Sequence, residues 1–266
     1  MNKVAIIGAG WVGKAMMELF PNAIVYVRNA GKYTSDSSYP MGINYTTNKD
    51  DINGCNIAFI CVPTPSMPLE TVGSTDDRAE GYLSNEGKLD TSIVEEVIKW
   101  LEVETIVIRS TVNPGDCDRW SLKYNKQIVM QPEYLGETPQ HPLLDTVATP
   151  FLVIGGYIKD RKKLIDLYTE VYNANIKIRQ VSNYEAEVIK LSENRAIFFK
   201  VAQCQELYDV CEKIGLDYYT IINAVYSDDP RFNLWWTFVY PEKRGITSKC
   251  MPKDVYAWAA WAESLG

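Results

Sequence analysis

Three glycines near the start of the chain constrain its fold more than any other feature. The apolar run Val4–Ile7 predicts a short buried strand, Gly8, Gly10 and Gly13 follow it, and a helical pattern covers residues 14–20. In a strand–loop–helix unit of this spacing, the first glycine permits a tight turn, the second lets a pyrophosphate approach the backbone, and the third lets helix and strand pack closely. The helix N-terminus then faces the phosphates. The pattern predicts dinucleotide binding, and the alternative is a glycine-rich turn that binds nothing.

Later segments extend this unit into a larger α/β architecture. Alternating strands and helices are typical of a parallel sheet with right-handed crossovers. The polar stretch 66–88 is predicted to be a loop. A helical pattern covers residues 91–101, and the further β-rich runs are 23–27, 57–62, 105–108, 128–130 and 151–154.

The character of the sequence changes near residue 182. Ser182 and Glu185 have the spacing of a capping box, and the helical pattern that follows ends at Gly215. Glycine is the residue that most often closes a helix C-terminus. A helix of this length spans roughly 45 Å. Asp217 is expected to cap another helix that ends before Pro230. We therefore predict a Rossmann-type parallel-sheet domain over 1–182 and a helical domain, built on one long helix, over 183–266.

Composition narrows the classes of function. The 266 residues carry a net charge of −7, which disfavours nucleic acid as a partner, because proteins that bind it usually carry a basic field. No apolar run is long enough for a membrane span, and the early first strand argues against a signal peptide. Six scattered cysteines in a chain of this size favour reduced thiols and a cytoplasmic setting. With one histidine, His141, we expect no histidine-based metal site.

Cys250 adds a second kind of chemistry to the glycine loop. It opens the run Cys250-Met251-Pro252-Lys253-Asp254, and Lys249 and Lys253 on either side would favour its thiolate. A thiolate can trap an aldehyde as a thiohemiacetal, which a second hydride transfer converts to a thioester. Water then releases an acid, so the pair suggests oxidation of an alcohol to a carboxylate. The alternative is a small buried hydrophobic residue.

Two further pairs of polar residues are candidates for catalysis. Lys190 and Asn194 lie four apart on one helix face and can hold a hydroxyl oxygen and its developing oxyanion. Glu133 and Glu137 follow a predicted strand, at the sheet edge where ligands bind, and either is a candidate base toward water. The alternatives are a solvated helix face and an exposed charged loop.

The expected position of a ribose-binding acid, at the end of the second strand, is occupied by Arg28. An arginine cannot accept a hydrogen bond from a ribose 2′-hydroxyl, but it can pair with a 2′-phosphate. Together with Lys32, it indicates tolerance of NADP or a preference for it. The alternative is a solvated arginine that stacks on the adenine. The dense aromatic residues of segment 232–240 fit a core, a pocket or a dimer contact, with the core as the simplest interpretation.

Seven short motifs occur in the order found in the UDP-glucose/GDP-mannose dehydrogenase family, which the chain resembles over nearly its full length. Each is short, but seven in the right order are hard to obtain by chance. They are the glycine loop with Trp11 and Val12; Val62-Pro63-Thr64-Pro65; Leu89-Asp90-Thr91; Ser110-Thr111-Val112-Asn113-Pro114-Gly115; Pro132-Glu133-Tyr134-Leu135-Gly136-Glu137; Glu187 to Asn194; and Cys250 to Asp254.

The resemblance implies a reaction and a set of roles. It implies oxidation of a nucleotide-sugar alcohol to the uronic acid with two NAD, with Cys250 as nucleophile and Lys190 and Asn194 at the oxyanion. Thr111, Glu137 and Asp254 would hold or activate the hydrolytic water. The substrate would meet Glu133, Tyr134, Leu135 and Gly245, while Val62, Pro63, Thr64, Ser110, Thr111, Glu137 and Lys253 would line the cofactor site.

The sequence also departs from the family pattern. Side chains replace two glycines in the loop before Cys250, which reads Gly245-Ile246-Thr247-Ser248-Lys249, and Arg28 replaces the ribose-binding acid. The sequence ends at Gly266, so we expect a short form without the family's third, nucleotide-gripping domain: a fragment, a naturally short form or half of a split enzyme.

Three functional hypotheses follow. The first is an NAD(P)-dependent dehydrogenase of sugar nucleotides that acts through Cys250. The second is a two-electron β-hydroxyacid-type dehydrogenase, for which Lys190 and Asn194 matter and Cys250 does not. The third is a non-catalytic nucleotide-binding scaffold. A long helix with a partial apolar stripe, together with the aromatic segment 232–240, also predicts a homodimer through the helical domain.

Overall fold

The structure of the protein, a computed structural model, describes residues 3–34, 39–40, 42–67, 70–71, 83–84, 87–136, 141, 143, 149–172, 176–242, 244–246, 248 and 250–266. Three positions that the sequence analysis used are not fully described. Glu137 and Lys249 lie outside the described residues, and Lys32 is described only as part of the helical backbone.

A six-stranded parallel sheet forms the first half of the molecule. Its strand order is β3-β2-β1-β4-β7-β8, and every neighbouring pair in it runs parallel. This is a doubly wound order: successive strands are added toward one edge of the sheet from β1 to β3 and toward the other edge from β4 onward. The strands are β1 (Val4–Ile7), β2 (Ile24–Tyr26), β3 (Asn44–Thr46), β4 (Ile57–Ile60), β7 (Thr105–Ile108) and β8 (Ile128–Met130).

Helices connect these strands and cover both faces of the sheet. The predicted first helix and the predicted helix over 91–101 are both present, with bounds that differ by one to three residues. The helices of this half are α1 (Trp11–Leu19), α2 (Ala30–Thr34), α3 (Lys49–Asn53), α4 (Ser92–Trp100), α5 (Asp116–Tyr124) and α6 (Ile158–Tyr172).

Two small sheets complete this half. Strands β9 (Phe151–Ile154) and β10 (Lys177–Gln180) form a parallel ribbon beside the main sheet. Strands β5 (Glu70–Thr71) and β6 (Leu83–Ser84) form a short antiparallel pair. The prediction of a loop over 66–88 was therefore wrong at these strand residues and at Ser66, which forms a bridge with Leu89, because this backbone pairing occurs without an apolar sequence pattern. Residues 68–69, 72–82 and 85–86 lie outside the described residues.

The core lies on the two faces of the main sheet. Successive strand residues point to opposite faces, so Ile6 packs with α1 and α6, whereas Ala5 and Ile7 pack with α4 and α5. All four residues of β1, β4 and β7 are buried, as expected for a parallel sheet covered on both sides. The Rossmann-type fold predicted from the sequence is confirmed.

The second half is helical and is organised by one long helix, α7 (Asn183–Ile214). Its predicted ends are confirmed: Ser182 and Glu185 form a capping box, and Gly215 adopts a left-handed conformation, φ 69°, that closes the helix. Asp217 caps α8 (Tyr218–Tyr226), and α9 (Met251–Glu263) packs along α7. Cys204 and Cys211 are buried in the hydrophobic cluster that α7 and α8 form.

Candidate active site at the sheet edge and the α7–α9 junction

The glycine loop has the geometry that a dinucleotide requires. Gly8 has φ 101°, and a Cβ there would stand 2.5 Å from the carbonyl oxygen of Cys61. A Cβ on Gly13 would collide with the carbonyl oxygen of Gly8. Gly10, at the N-cap of α1, has no atom within 4 Å of its notional Cβ. The first and third glycines are therefore fixed by packing, while the second leaves open space at a helix N-terminus, where a phosphate would bind.

The other predicted cofactor residues surround the same edge. Trp11 begins α1 and is exposed, and Val12 packs against the core. Arg28 follows β2 and is exposed. Since every strand of the sheet runs the same way, these residues and the loops after β4 and β7 meet at one carboxyl edge.

Ser110 joins the loops after β4 and β7. Its hydroxyl accepts from the Val62 N–H at 3.0 Å and donates to the Val62 carbonyl at 2.7 Å. Beside this contact Thr64 is buried, Pro63 is exposed and Thr111 is half-buried. The hydroxyl of Ser110 is thus occupied in fixing the floor of the crevice, which keeps the Val62-Pro63-Thr64 backbone in place.

A chain of buried polar side chains connects α7 to α9. Lys190 Nζ donates to Asn194 Oδ1 at 3.2 Å, and Asn194 Nδ2 donates to Asp254 Oδ2 at 2.5 Å. Lys253 Nζ donates to the other oxygen, Asp254 Oδ1, at 2.5 Å. Asp254 is 1% exposed, and Lys190 and Asn194 are buried. The alternative that Lys190 and Asn194 lie on a solvated helix face is therefore wrong, because α9 covers them.

Cys250 stands at the N-cap of α9, one turn before Asp254. Its carbonyl accepts the Asp254 N–H at 3.2 Å, and its thiol-bearing residue is exposed. The alternative of a buried hydrophobic residue is wrong for this reason. The Lys253 ammonium is paired with the Asp254 carboxylate, so its positive charge is balanced there before it can act on the Cys250 thiol. The N-terminus of a 13-residue helix supplies a separate positive potential that favours a thiolate.

Glu133 is held by an arginine that sequence inspection did not single out. Arg109 donates to Glu133 in a buried ion pair and also to the carbonyls of Gln131 and Pro132, both at 3.2 Å. Burial alone would lower the pKa of Arg109, but Glu133 raises it above its ordinary value. The other oxygen of Glu133 accepts the N–H groups of Tyr134 and Leu135, at 2.7 and 2.8 Å.

This arrangement gives Glu133 a positioning role in the loop after β8. Both of its carboxylate oxygens are engaged by protein donors, and the exposed charged loop of the alternative interpretation is absent at this residue. Tyr134 is thereby placed with its ring 5.2 Å from the Lys190 ammonium. A charged residue directly after an otherwise apolar strand, as Arg109 is after β7, is the signal that could have revealed this pair.

Glu187 opens the Glu187 to Asn194 motif, but no role was assigned to it from the sequence. Its carboxylate is fully buried and accepts the N–H groups of Gly115 at 2.6 Å and Cys117 at 2.9 Å, at the start of α5. Burial raises the pKa of Glu187 to about 7, although the two backbone donors oppose that shift. Glu187 therefore ties α7 to the turn that carries Ser110 and Thr111, one helical turn from Lys190.

The remaining predicted positions lie close to these groups. Leu135 is half-buried, and Gly245, with φ 82°, lies in the loop before α9, where its N–H reaches Gln205 Oε1 at 3.4 Å. The aromatic segment 232–240 is core only in part: Phe232 and Trp235 are 49% and 54% exposed, whereas Val239 is buried in the cluster of the helical half and Trp236, Phe238 and Tyr240 are half-buried. In the described part of the chain, no three acidic, cysteine or histidine side chains are arranged to hold a metal ion.

Fold and site together define the class of Rossmann-type dinucleotide-binding proteins in which a long helix carries a second set of polar site residues. The profile of the UDP-glucose/GDP-mannose dehydrogenase family matches twice: its NAD binding domain over residues 38–176 and its central domain over residues 184–266. The chain belongs to this family.

One curated relative agrees with that assignment in sequence, and two solved structures share the fold. The UDP-glucose 6-dehydrogenase of Rickettsia typhi is 27% identical over 216 residues, which cover 78% of this chain and 45% of the relative. The structure of a UDP-glucose dehydrogenase from Pyrobaculum islandicum superposes with a TM-score of 0.79 at 21% identity, covering 100% of this chain and 65% of that one. A Mycobacterium tuberculosis 3-hydroxyisobutyrate dehydrogenase superposes with a TM-score of 0.67 at 14% identity, covering 100% and 88%. The chain spans about half the length of the curated relatives it matches.

Proposed function

We propose that the chain is an NAD(P)-dependent dehydrogenase that oxidises an alcohol of a sugar nucleotide to the carboxylate through a covalent intermediate on Cys250. One observation carries the proposal: the buried chain Lys190–Asn194–Asp254 lies against the helix that Cys250 begins. Burying a cation, an amide and a carboxylate has a high cost in desolvation, so such an arrangement is typical of a functional site.

The glycine loop fits the cofactor. The open space at Gly10 and the N-terminus of α1 suit a pyrophosphate, with Thr64, Ser110 and Thr111 at the same sheet edge. Two molecules of NAD(P), bound there in turn, would each supply one hydride acceptor for the two successive oxidations. Arg28, exposed at the end of β2, is proposed to favour the 2′-phosphate of NADP over the free ribose, with Lys32 nearby in the sequence.

The side chains divide the chemistry. The first oxidation converts the alcohol to an aldehyde, and the Cys250 thiolate adds to its carbonyl carbon to form a C–S bond and an oxyanion. Lys190 and Asn194 stabilise that oxyanion by donation. Loss of the second hydride leaves a thioester, and attack by water breaks the C–S bond, releasing the acid and the thiol. Asp254 is proposed to act in that hydrolysis, with Thr111 and Glu137 holding the water.

The substrate is proposed to be a sugar nucleotide because the named relatives are UDP-glucose and UDP-N-acetylhexosamine dehydrogenases. The loop Glu133-Tyr134-Leu135, which Arg109 fixes, is proposed to contact one side of the sugar. Gly245 is proposed to contact the other side. Replacement of two glycines before Cys250 by larger residues suggests a sugar different from that of the relatives.

A panel of sugar nucleotides and free hydroxyacids, assayed with NAD and with NADP, tests the proposal. The expected result is a carboxylate product with two cofactors reduced per product. A second candidate is a two-electron hydroxyacid dehydrogenase, favoured by the burial of Lys190 and Asn194 beside an exposed Cys250. That candidate gives one reduced cofactor per product. Saturable cofactor binding without turnover of any panel member would contradict both and leave a non-catalytic scaffold.

We also propose a homodimer through the helical half. Large apolar side chains are exposed on α7, on α8 and in the segment after it, and such a concentration usually marks an interface. They are Phe199, Val210, Ile214, Leu216, Tyr219, Val225, Phe232, Leu234 and Trp235. Light scattering that gives the mass of a single chain at every working concentration would rule this out.

The setting and the domain division remain proposals of the same kind. All six cysteines lie in the described part of the chain and none forms a disulfide, which supports a reducing, cytoplasmic setting. Within the described ranges, no helix combines the length and the apolar character needed to cross a membrane. The proposed boundary at residue 182 coincides with the N-cap of α7, and limited proteolysis there would test it.

A further inference from the structure

A second cleft lies between the β9–β10 ribbon and helix α7, with a volume of about 510 Å³. One wall is a single face of the ribbon. Phe151 stands opposite Lys177 and Val153 opposite Arg179 in the strand register, and alternate residues of a strand share one face. The ribbon therefore presents two apolar and two cationic side chains to the same space.

Helix α7 and the loop after β8 supply the other walls. Ile189 and Glu193 are four residues apart and lie on one side of the helix, facing the ribbon. Tyr134 closes one end, with its ring centroid 5.1 Å from that of Phe151. The cleft is distinct from the crevice at Gly10, because none of its lining residues belongs to the loops after β1, β2, β4 or β7.

Two buried polar atoms in this cleft have no hydrogen-bond partner among the described residues: Glu193 Oε2 and Tyr134 Oη. A buried polar atom without a partner is costly and uncommon in native proteins, so a ligand that draws these two side chains towards the cleft would relieve that cost. Burial raises the pKa of Glu193, with Lys190 opposing the shift, and burial also raises the pKa of Tyr134.

Lys177 and Arg179 give the exposed side of the cleft a positive charge in a chain whose net charge is −7. An anion is attracted there, while the aromatic rings suit a flat ring and the buried carboxyl and phenol suit its polar edge. Nucleobases present such edges and stack on aromatic side chains. The volume falls within the roughly 300–1,000 Å³ of small-molecule sites.

We propose that this cleft binds a nucleoside monophosphate, with the base against Phe151 and Tyr134, its polar edge at Glu193 and its phosphate at Lys177 and Arg179. This second site shares Tyr134 with the loop proposed to meet the sugar, but it goes beyond the proposed dehydrogenase function and does not depend on it. Its occupant is in position to act on the Lys190 region, because the Tyr134 ring that closes the cleft lies 5.2 Å from the Lys190 ammonium.

Calorimetric titration of the full chain with GMP, UMP, guanosine and inorganic phosphate tests the proposal. Wild type is compared with Gly10→Ala, which places a methyl group in the open space where the glycine loop would receive a phosphate. It is also compared with the double variant Lys177→Ala/Arg179→Ala. Lys159→Ala/Lys213→Ala, which removes two exposed lysines elsewhere, is the matched charge control. Glu193→Gln probes the base edge.

The expected result is saturable binding of a monophosphate that Gly10→Ala and the charge control retain and that Lys177→Ala/Arg179→Ala weakens by about tenfold or more. Glu193→Gln should alter the preference between GMP and UMP. Binding that Gly10→Ala abolishes and the double variant retains would assign the nucleotide to the glycine loop and overturn the proposal. So would phosphate binding as tightly as GMP, or no saturation up to about 10 mM. Because the readout is binding, failure here leaves the dehydrogenase proposal standing, and absence of turnover leaves this one standing.

Discussion

The two halves of the candidate site are built in different ways. At the sheet edge, the backbone makes the site: Gly8 and Gly13 have no room for a side chain, and Gly10 leaves a free approach to a helix N-terminus. At the α7–α9 junction, side chains make the site: Lys190, Asn194 and Asp254 form a buried chain across two helices, and the bonded residues Asn194 and Asp254 are 60 residues apart in sequence.

This difference teaches where each half is vulnerable. A backbone site tolerates most side-chain changes around it but fails when a Cβ enters the packed turn. A side-chain site depends on every member, because removing one leaves its buried partners without compensation. The expected effects below run from the largest to the smallest, and each either breaks or sharpens the contrast.

Replacing Cys250 by alanine should have the largest effect. We expect acid formation to fall about a thousandfold or more, roughly 4 kcal/mol in the activation free energy, because no thioester can form. Cofactor binding at the sheet edge should be unchanged. Rapid-mixing assays of acid release, beside fluorescence titration of NADH, measure both. Full four-electron turnover by Cys250→Ala would show that the junction does not act through a thioester.

Asp254→Ala should destabilise the fold itself. It leaves the Asn194 amide and the Lys253 ammonium without their acceptor, and breaking a buried pair in this way costs about 3 kcal/mol. Asp254→Asn is the control, since it keeps an acceptor but removes the charge. Urea unfolding measures the free energy of unfolding. An unfolding free energy equal to that of the wild type would mean that the chain of side chains does not stabilise the junction.

The glycines test the backbone half by a matched pair of alanine substitutions. Gly13→Ala should cost about 2 kcal/mol of unfolding free energy, because the new methyl group meets the fixed Gly8 carbonyl. Gly10→Ala should leave the unfolding free energy nearly unchanged and weaken dinucleotide binding instead. If both substitutions had the same effect on stability, the distinction between a packed and an open glycine would be lost.

Glu187 links the two halves and should make stability depend on pH. Its folded pKa, about 7, lies above the ordinary value of 4.5, so the folded state binds more protons than the unfolded state between these values. The stability that Glu187 contributes is therefore present below about pH 4.5 and is lost as the pH rises through about 7, by about 2 kcal/mol or less. The free energy of unfolding of the wild type minus that of Glu187→Gln, measured as a function of pH, tests this. We expect that difference to fall as the pH rises, and an increase would contradict the sign.

Arg28→Asp should have the smallest effect. We expect the preference for NAD relative to NADP to increase about tenfold, or about 1.4 kcal/mol, because an acid accepts from the 2′-hydroxyl and repels a 2′-phosphate. Binding constants for the two cofactors give the ratio, and Lys213→Asp, a charge reversal at an exposed position near the end of α7, is the control. The same ratio in Arg28→Asp and wild type would show that Arg28 does not contact the ribose.

Much of the fold was predictable because its signals are local. The strand–glycine–helix unit, the capping box at Ser182 and the left-handed Gly215 each depend on residues within a few positions of one another. The short β5–β6 pair and the exposure of Phe232 and Trp235 were not predictable in this way. Their state depends on which surfaces the rest of the chain covers, and aromatic composition alone favours burial.

The sequence by itself determined the alternation of strands and helices, the glycine loop and the long helix, since periodicity and turn chemistry specify them locally; the order of the strands in the sheet came from the structure. It also indicated Lys190, Asn194, Asp254 and Cys250 through their motifs. Only the tertiary structure decided that Lys190 and Asn194 are buried, that Arg109 holds Glu133, and that Glu187 joins α7 to the start of α5. The physical reason is that burial and pairing are properties of contacts between distant segments, which no window of the sequence contains.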